Sequence, residues 1–512
     1  MSATPDYIDT AHGEMRVWRA GRGAAVVVLP GLVAAASVVA ERLAGAHADT
    51  SFHVIELPGI GGSASVRFSS FEDVVNTARE AMHALGLAHA PLLAFDLAGA
   101  IALQLDPQAL CLHADHALGW AARKWTPPDL TPRNDGTHLN ALFSHLRDAH
   151  VLDASSGRQV AKSGDPFLSP EAMNATFVAA AMSPLAYMKL WSLCSAHAGC
   201  LREAANTRGV SEVLSGAIAR NVSPAPRTPG DVWRDYVDIP HGRVHLRLSG
   251  PDRDPVIALH SAPGSSAPLM PLLKGLGAKR RVIAPDYIGN GESARPDEPV
   301  DIATLARDVI ALADKLDLNT FDLWGTHTGA LIALETSLLA PDRVRRVVLE
   351  APPILDPSFS ADILANYFID LSPDQWGLHV QKAWQMRRDM FLFWPWYRAE
   401  RAAGRPLQVP DAAFLHDWTV GLLSSGKTYS RTYRAAFEYD TRERMAGLKC
   451  PALFCAGASD MLVQGLDAAR EMKSGRFFVT GTPATVWYPD QAPEAVEETI
   501  ATYARFLDHG RI

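Results

Sequence analysis

The chain has 512 residues, of which 48% are apolar and 20% are charged, and its formal net charge is −8. This length suffices for two or three domains, and the ordinary balance of apolar and charged residues argues against long disordered regions. Acidic residues outnumber basic ones and no block of lysine or arginine occurs, so the sequence lacks the electrostatic pattern of a nucleic-acid-binding protein.

The N-terminus and the cysteines bear on the cellular compartment. The first residues contain neither the basic nor the apolar segment of an export signal. The five cysteines are odd in number and lack Cys-x-x-Cys spacing, which is typical of a reducing cytoplasm. The apolar run Ala24–Ala40 is interrupted by Pro30 and Gly31, which predicts a buried strand and the start of a helix. We therefore expect a cytoplasmic protein that does not bind membranes.

Two parts of the chain resemble each other in sequence. The segment Asp-Tyr-Ile-Asp-Thr-Ala-His-Gly, which begins at Asp6, recurs as Asp-Tyr-Val-Asp-Ile-Pro-His-Gly from Asp235, 229 positions later. Three further matches follow in the same order, with offsets of 230, 231 and 241 positions. Four ordered matches with a slowly growing offset indicate two homologous copies in tandem.

The two copies differ in extent. We assign residues 1–220 to a truncated first copy whose segment 129–220 is helical, and residues 235–512 to a complete second copy. Residues 221–234 between them include a proline-rich, polar stretch, which predicts a linker. The second copy contains a long helical insertion at about 354–442 and continues through two more predicted strands. The first copy passes from its helical segment directly into the linker, so it lacks the last third of the fold.

In the second copy, short apolar runs end at glycine or proline and alternate with helical stretches. The predicted strands are Val256–Leu259, Arg281–Ala284, Phe321–Trp324, Val347–Glu350 and Ala452–Ala456. Strands separated by helices predict βαβ units and a mostly parallel, doubly wound sheet, so the predicted fold class is α/β. Ligands of such sheets bind beyond the carboxyl ends of the strands. The side chains predicted at those ends are His260, Asp286, His327 and Asp460.

The stretch from Phe321 to Leu339 has the pattern of a strand, a sharp turn and an apolar helix, and its turn is Gly-Thr-His-Thr-Gly. Together with Leu259–Gly264, the glycine-rich turn Asp286–Ser293 and Gly457–Asp460, it resembles the α/β-hydrolase fold over essentially the whole second copy. The resemblance implies two tandem α/β-hydrolase-like sheets with helical caps, the first one truncated. It also implies that the turn is a nucleophile elbow beneath the cap.

The resemblance assigns roles to several residues of the second copy. It implies that the backbone N–H groups of Ser261, Ala262 and Thr328 stabilise a developing oxyanion, and that Asp460 is the catalytic acid. Asp286 is interpreted as fixing the glycine-rich turn that follows it.

Two departures from the family pattern exclude a Ser-His-Asp triad in the second copy. The elbow tip, where the family has serine, aspartate or cysteine, is His327. The late catalytic histidine of the family is also missing, because residues 449–507 contain no histidine.

His327 and Asp460 are the predicted catalytic pair. An imidazole at the elbow tip could reach Asp460 directly, which would fix its tautomer and raise its basicity. Such a base could activate water against an ester, a thioester or an activated ketone, or abstract a proton beside a carbonyl in a lyase or isomerase reaction. A covalent acyl-imidazole is chemically possible but hydrolytically fragile. A different hypothesis is a non-catalytic ligand-binding or scaffold protein with a decayed site.

Further residues are candidates for binding a small, hydrophobic substrate. His260 precedes the oxyanion loop, Trp487 and Tyr488 lie near the position of the missing histidine, and Trp384 belongs to the cap aromatics. His379 is another candidate, although the first copy repeats it, which favours a structural role. Packing is an alternative for each of them. No dinucleotide-binding motif and no metal-ligand spacing is found, so we predict no cofactor and no metal site.

The first copy has Asp96 at the position of its elbow tip. An aspartate there resembles the nucleophile of dehalogenase-like and epoxide-hydrolase-like members of the fold, which also need the late histidine. Because the first copy has no segment to supply it, we expect a scaffolding role. The copies are then predicted to pair as an intramolecular pseudo-dimer.

Overall fold

The computed structural model describes residues 2–162, 166–202, 210–215, 225–228, 230–295 and 298–512. The chain divides into two compact units. Unit 1 comprises Met1–Pro229 and Pro373–Gln381, and unit 2 comprises Gly230–Ser372 and Lys382–Ile512. The predicted linker at 221–234 and the helical segment predicted at 129–220 both lie partly outside the described residues. The domain boundaries drawn from the sequence stay predictions.

Unit 1 contains a six-stranded sheet with helices. Its strands are β1 (Thr4–Thr10), β2 (Gly13–Ala20), β3 (Ala24–Leu29), β4 (Thr50–Ile55), β5 (Leu92–Phe95) and β6 (Leu110–Leu112). Its helices are α1 (Ala36–Ala46), α2 (Phe71–Ala84), α3 (Gly99–Leu105), α4 (Ala114–Ala122), α5 (Thr137–Val151), α6 (Pro170–Ala181), α7 (Pro184–His197) and α8 (Val210–Ser215). The strand order is β1-β2-β4-β3-β5-β6, antiparallel at β1 and β2 and parallel elsewhere.

Unit 2 contains an eight-stranded sheet. Its strands are β7 (Val232–Ile239), β8 (Gly242–Ser249), β9 (Val256–Leu259), β10 (Val282–Pro285), β11 (Phe321–Thr326), β12 (Val344–Glu350), β13 (Ala452–Gly457) and β14 (Phe477–Thr482). The order is β14-β13-β12-β11-β9-β10-β8-β7, with parallel pairing from β14 to β10. The first six strands in chain order, β7 to β12, are arranged as β7-β8-β10-β9-β11-β12. This is the same order as that of the six strands of unit 1.

The helices after residue 230 lie between and beyond these strands. They are α9 (Met270–Gly277), α10 (Ile302–Lys315), α11 (Thr328–Leu339), α12 (Pro357–Asn366), α13 (Leu378–Leu392), α14 (Ala412–Ser424), α15 (Tyr429–Glu438), α16 (Thr441–Met445), α17 (Gly465–Glu471) and α18 (Pro493–His509). Local sequence fixes several of their starts. The Asp301 side chain, for example, accepts a hydrogen bond from the N–H of Thr304 and so caps α10.

Alternate side chains of the unit 2 strands pack into two hydrophobic clusters. Leu323 belongs to one cluster, together with Leu305 of α10 and Leu331 of α11. Trp324 belongs to the other, together with side chains of α9 and α18. Because successive side chains of a strand point to opposite faces, helices cover both faces of the sheet. This arrangement confirms the predicted α/β class and explains why the central strands are buried and apolar along their length.

No single helix in the described part of the chain is long and apolar enough to span a membrane. The helices at Pro170–Ala181 and Pro184–Arg202 pass that test only together, by length and composition, and they are bent by 92°.

Candidate active site

The turn between β11 and α11 carries His327. β11 ends at Thr326, α11 begins at Thr328, and His327 between them has φ 50° and ψ −117°. A residue with a side chain adopts this conformation only where the surrounding structure enforces it. Here the N–H of His327 donates to the carbonyl oxygen of Glu350 at 3.0 Å, which ties the turn to the end of β12.

Two glycines make this sharp turn possible. A Cβ atom at Gly329 would lie 2.1 Å from the carbonyl oxygen of Leu259, and one at Gly325 would lie 2.2 Å from the carbonyl oxygen of Gly329. Both separations are far below van der Waals contact, so only glycine allows α11 to approach the end of β9 this closely. The strand, turn and helix predicted around His327 are all present.

His327 contacts Asp460 directly. The Nε2 atom of His327 lies 3.1 Å from Oδ1 and 3.0 Å from Oδ2 of Asp460, which follows β13. The Asp460 side chain is fully buried, and its Oδ1 also accepts the N–H of Leu462 at 2.9 Å. Because a second donor orients this carboxylate, Asp460 can hold the imidazole in one position.

This contact selects the tautomer of His327. A carboxylate accepts hydrogen bonds, so the Nε2 atom that faces Asp460 carries a proton. The Nδ1 atom is then the unprotonated nitrogen of the neutral ring, and it makes no hydrogen bond to any group in the described part of the chain. Since His327 lines a cavity, the ring offers a basic nitrogen to a ligand or to water.

Trp487 lies against His327. The two rings meet edge to face, with centroids 5.1 Å apart and an interplanar angle of 84°. The indole N–H of Trp487 donates to Thr326 Oγ1 at 3.0 Å, and the ring packs on Tyr488 at 4.7 Å. The segment in which the family has its late histidine therefore supplies an aromatic wall beside the imidazole.

A cavity of about 350 Å³ opens onto the side chains of His327 and Trp487. Its volume falls within the usual range of small-molecule sites. The residues that line it include Ala262 together with aromatic side chains and a few polar groups, namely His260, Ser261, His327, Tyr367, Arg387, Phe414, Trp418, Tyr433, Trp487 and Tyr488. The aromatic side chains form walls and leave the space between them open.

The loop after β9 contributes to the cavity wall. Ser261 and Ala262 line the cavity, and Thr328 directly follows His327 at the start of α11. Their backbone N–H groups donate to no acceptor among the described residues. The Asn290 side chain accepts from the N–H of Gly264 at 3.4 Å and so helps to hold this loop. These three N–H groups therefore have no acceptor within the described part of the chain, and their role as an oxyanion site stays a prediction.

His260 is buried at the base of this loop. Its ring stacks on Tyr287 at 4.3 Å, and its Nδ1 lies 2.7 Å from the carbonyl oxygen of Ser261. Burial lowers the pKa of His260, which keeps the imidazole neutral. Its Nε2 makes no hydrogen bond within the described part of the chain. His260 therefore supports the loop and also lines the cavity.

Asp286 holds the glycine-rich turn, as the sequence predicts. Its carboxylate accepts the N–H of Glu292 at 3.0 Å and the N–H of Ser266 at 2.6 Å, and it lies 3.0 Å from His245 Nδ1. A Cβ atom at Gly291 would lie 2.1 Å from this carboxylate, so the turn can close around Asp286 only with glycine there.

Among the residues that the structure describes, no three His, Cys, Asp or Glu side chains form a metal-binding group.

Two predicted substrate-binding residues do not line this cavity. His379 belongs to unit 1, where its Nδ1 lies 3.0 Å from Asp374 and its Nε2 lies 3.1 Å from the side-chain oxygen of Asn174. Trp384 is buried in α13 and is absent from the described lining residues. Their role in substrate binding stays a prediction without support from the cavity lining.

The sequence interpretation missed two buried charged groups. Glu350 lies at the end of β12, where Tyr503 donates to its carboxyl at 2.6 Å, and burial raises its pKa to about 7. The sequence feature that could have identified Glu350 is an acidic residue at the end of the strand that pairs with β11. Arg387 in α13 lines the cavity although it is only 1% exposed. The sequence marks it only as one of several cations in a helix of mixed apolar and polar residues.

Unit 1 has a similar turn at Asp96, which has φ 40°. The carboxylate of Asp96 accepts the N–H groups of Leu32, at 3.2 Å, and Leu97. Burial raises the pKa of Asp96 to about 7. Leu32 precedes Ala262 by 230 positions and Leu97 precedes Thr328 by 231, which are the offsets of the sequence matches. The two N–H groups at these positions in unit 1 therefore already donate to the Asp96 carboxylate.

Comparison with known proteins finds similarity over part of the chain. Over 209 residues, the sequence is 25% identical to RutD of Azorhizobium caulinodans, a proposed carbamate hydrolase. The aligned residues cover 41% of this chain and 74% of that protein. It is 39% identical over 112 residues to a haloalkane dehalogenase from Psychrobacter cryohalolentis, covering 20% of this chain and 36% of that enzyme. The structure of an epoxide hydrolase from an endophytic Streptomyces matches with 20% identity and a TM-score of 0.45, over 56% of this chain and 98% of that one.

A family model also matches unit 2. The model for the alpha/beta hydrolase fold matches residues 254–480, which run from β9 into β14. This range contains the sharp turn at His327, the loop after β9 and Asp460. The fold that the sequence resembles is therefore matched over residues 254–480, the part of the chain that carries this site.

Proposed function

We propose that this protein hydrolyses a small, hydrophobic carbonyl compound, an ester, a thioester or an activated ketone, with His327 as the base. The observation that carries the proposal is the contact of 3.0 Å between His327 Nε2 and a fully buried Asp460 carboxylate at the edge of an open cavity. A decayed site would not need this pairing at the tip of a strained turn.

Each group has a role in the proposed reaction. Water transfers a proton to Nδ1 of His327 while its oxygen attacks the carbonyl carbon. The Asp460 carboxylate accepts a hydrogen bond from Nε2–H and stabilises the imidazolium that results. The N–H groups of Ser261, Ala262 and Thr328 stabilise the negative charge on the carbonyl oxygen. When the tetrahedral intermediate collapses, the imidazolium gives its proton to the departing alkoxide, thiolate or carbanion, which leaves as the alcohol, the thiol or the C–H product.

The relatives support the hydrolytic part of this proposal. The similar proteins include a proposed carbamate hydrolase and a haloalkane dehalogenase, and the first of these is a hydrolase by name. Their chemistry differs, so they do not select a substrate. The aromatic walls of the cavity favour a hydrophobic one.

We also propose that the two units arose by duplication of one α/β-hydrolase domain. The shared strand order of the first six strands and the ordered sequence matches support this origin. The first unit lacks strands equivalent to β13 and β14 among its described residues. Because β13 leads to Asp460, the described part of the first unit offers Asp96 no partner of that kind, and we assign hydrolysis to unit 2.

The proposal is tested by turnover of aryl esters, acyl thioesters and β-diketones by the wild type and the His327→Ala variant. Calorimetric binding of each compound to both proteins separates binding from chemistry. We expect turnover to fall by roughly a hundredfold or more while binding is retained, because a positioned general base contributes about that factor. His116→Ala, in unit 1, is the matched control and should retain wild-type turnover.

Two outcomes would overturn this function. Unchanged turnover in His327→Ala would remove the imidazole from the reaction. Tight binding by both proteins without any turnover would instead indicate a binding protein built on a hydrolase fold.

A further inference from the structure

Arg387 is a buried cation in the wall of the cavity. It lies in α13, is 1% exposed, and lines the same cavity as His327. Its guanidinium stacks on the Trp418 ring, with Cζ 4.1 Å from the ring centroid. This stacking fixes the plane of the guanidinium relative to the cavity wall.

The hydrogen bonds of Arg387 leave its charge uncompensated. Nη2 donates to the carbonyl oxygen of Pro263 at 2.7 Å, Nε donates to the carbonyl oxygen of Trp418 at 3.1 Å, and Nη1 lies 3.7 Å from the Met390 sulfur. All three acceptors are neutral. A guanidinium carries five N–H donors, so two remain for a ligand.

No carboxylate among the described residues pairs with Arg387. The other two arginines that are buried in the described part of the chain differ in this respect, because Arg16 pairs with Glu56 at 2.9 Å and Arg280 with Asp322 at 3.0 Å. The one carboxylate among the described lining residues is Asp417, which is exposed and makes no ion pair with Arg387. Burial of a cation without an anion is costly.

The missing anion is expected to come with the ligand. Burial lowers the pKa of Arg387 to about 10, so the group still carries its charge at neutral pH. A planar guanidinium with free N–H donors matches a carboxylate in geometry as well as in charge. Tyr367 and Tyr433 line the same cavity, and their hydroxyl oxygens are 2.8 Å apart. Because one hydroxyl donates to the other, one O–H remains as a further donor.

We propose that the substrate carries a carboxylate group, which Arg387 binds while its reactive carbonyl lies at His327. This inference rests on the proposed function for the reactive end, but the anion site itself does not depend on turnover. The substrate class is therefore a short acid with an ester, thioester or ketone group and a hydrophobic portion between the two ends. A cavity of about 350 Å³ sets the size limit.

The test compares two ligands that differ in charge alone. 4-Oxo-4-phenylbutanoate and its primary amide have the same shape, and neither is an ester. Their binding is measured by calorimetry with the wild type, Arg387→Met, Arg387→Lys and Arg388→Met. Arg388 pairs with Asp389 and is the neighbouring control.

We expect the wild type to bind the acid roughly tenfold or more tightly than the amide, since a hydrogen bond to a charged group contributes about that factor. Arg387→Met should abolish this preference and still bind the amide, which shows that the variant is folded. Arg387→Lys should retain part of the preference, and Arg388→Met all of it.

Equal binding of acid and amide by the wild type would overturn the proposal, as would an undiminished preference in Arg387→Met. Failure of both ligands to bind the wild type would also overturn it for acids of this size. Acid-selective binding that depends on Arg387, without ester turnover, would keep the anion site and remove the proposed hydrolysis.

Discussion

At the scale of single residues, the site combines two functions that this fold usually divides. The residue at the elbow tip is normally the nucleophile, and a separate histidine activates it. Here His327 occupies the tip itself and reaches Asp460 at 3.0 Å, while Trp487 lies beside the imidazole. A base in this position can act on water but has no serine to activate, so its chemistry differs from that of a triad.

The sequence predicted this pairing for a simple physical reason. β11 and β13 belong to one parallel sheet with only β12 between them, so the residues that follow their carboxyl ends lie at the same edge of the sheet. The importance of Arg387 could not be predicted in the same way. It depends on burial and on the lack of an anionic partner, and both are properties of the packed cap that no local pattern encodes.

At the scale of elements, the turn before α11 depends on close packing of backbone. The start of α11 approaches the end of β9 so closely that a Cβ atom at Gly329 would lie 2.1 Å from the Leu259 carbonyl oxygen. The turn motif in the sequence was sufficient to predict this strand, turn and helix. The positions of Trp384 and His379 were not predictable, because helical periodicity does not tell which cap residues reach the cavity.

Gly329→Ala tests this packing. We expect the substitution to lower the free energy of unfolding by about 1–3 kcal/mol, because the helix must shift away from β9 to make room. Gly421→Ala in α14 is the matched control, since nothing lies within 4 Å of its added Cβ. There alanine should be neutral or stabilising by up to about 1 kcal/mol. Urea unfolding of both variants gives the comparison, and equal destabilisation would contradict the close approach.

At the scale of the whole molecule, the two units share a strand order but differ in their turns. In unit 1 the Asp96 carboxylate accepts the N–H groups of Leu32 and Leu97, whereas the corresponding groups in unit 2 donate to none of the described residues. Asp96 is also buried enough for its pKa to rise to about 7. We therefore expect Asp96 to influence stability and not turnover.

Asp96→Asn should stabilise unit 1 increasingly as the pH rises. The folded-state pKa of about 7 lies above the unfolded value of 3.8, so ionisation of Asp96 opposes folding progressively between these pH values. The full penalty is about 4 kcal/mol above pH 7, and it vanishes well below pH 4. Hydrogen exchange of β3 and β5 in variant and wild type should therefore show a larger gain in protection at pH 8 than at pH 5.

The activity of the same variant provides the control. Turnover of any substrate found for the wild type should be unchanged in Asp96→Asn, because the reaction is assigned to unit 2. A gain in protection that is equal at both pH values would contradict the raised pKa. A loss of turnover would contradict the assignment of hydrolysis to unit 2.

The central claim is that His327 and Asp460 act as one base, and a double-mutant cycle tests it most directly. The values of kcat/KM are measured for the wild type, His327→Ala, Asp460→Asn and the double variant with one aryl ester. Since Asp460 is proposed to act only through the imidazole, the double variant should be about as slow as His327→Ala alone. Losses that multiply in the double variant would show that the two side chains act independently, and would contradict the account.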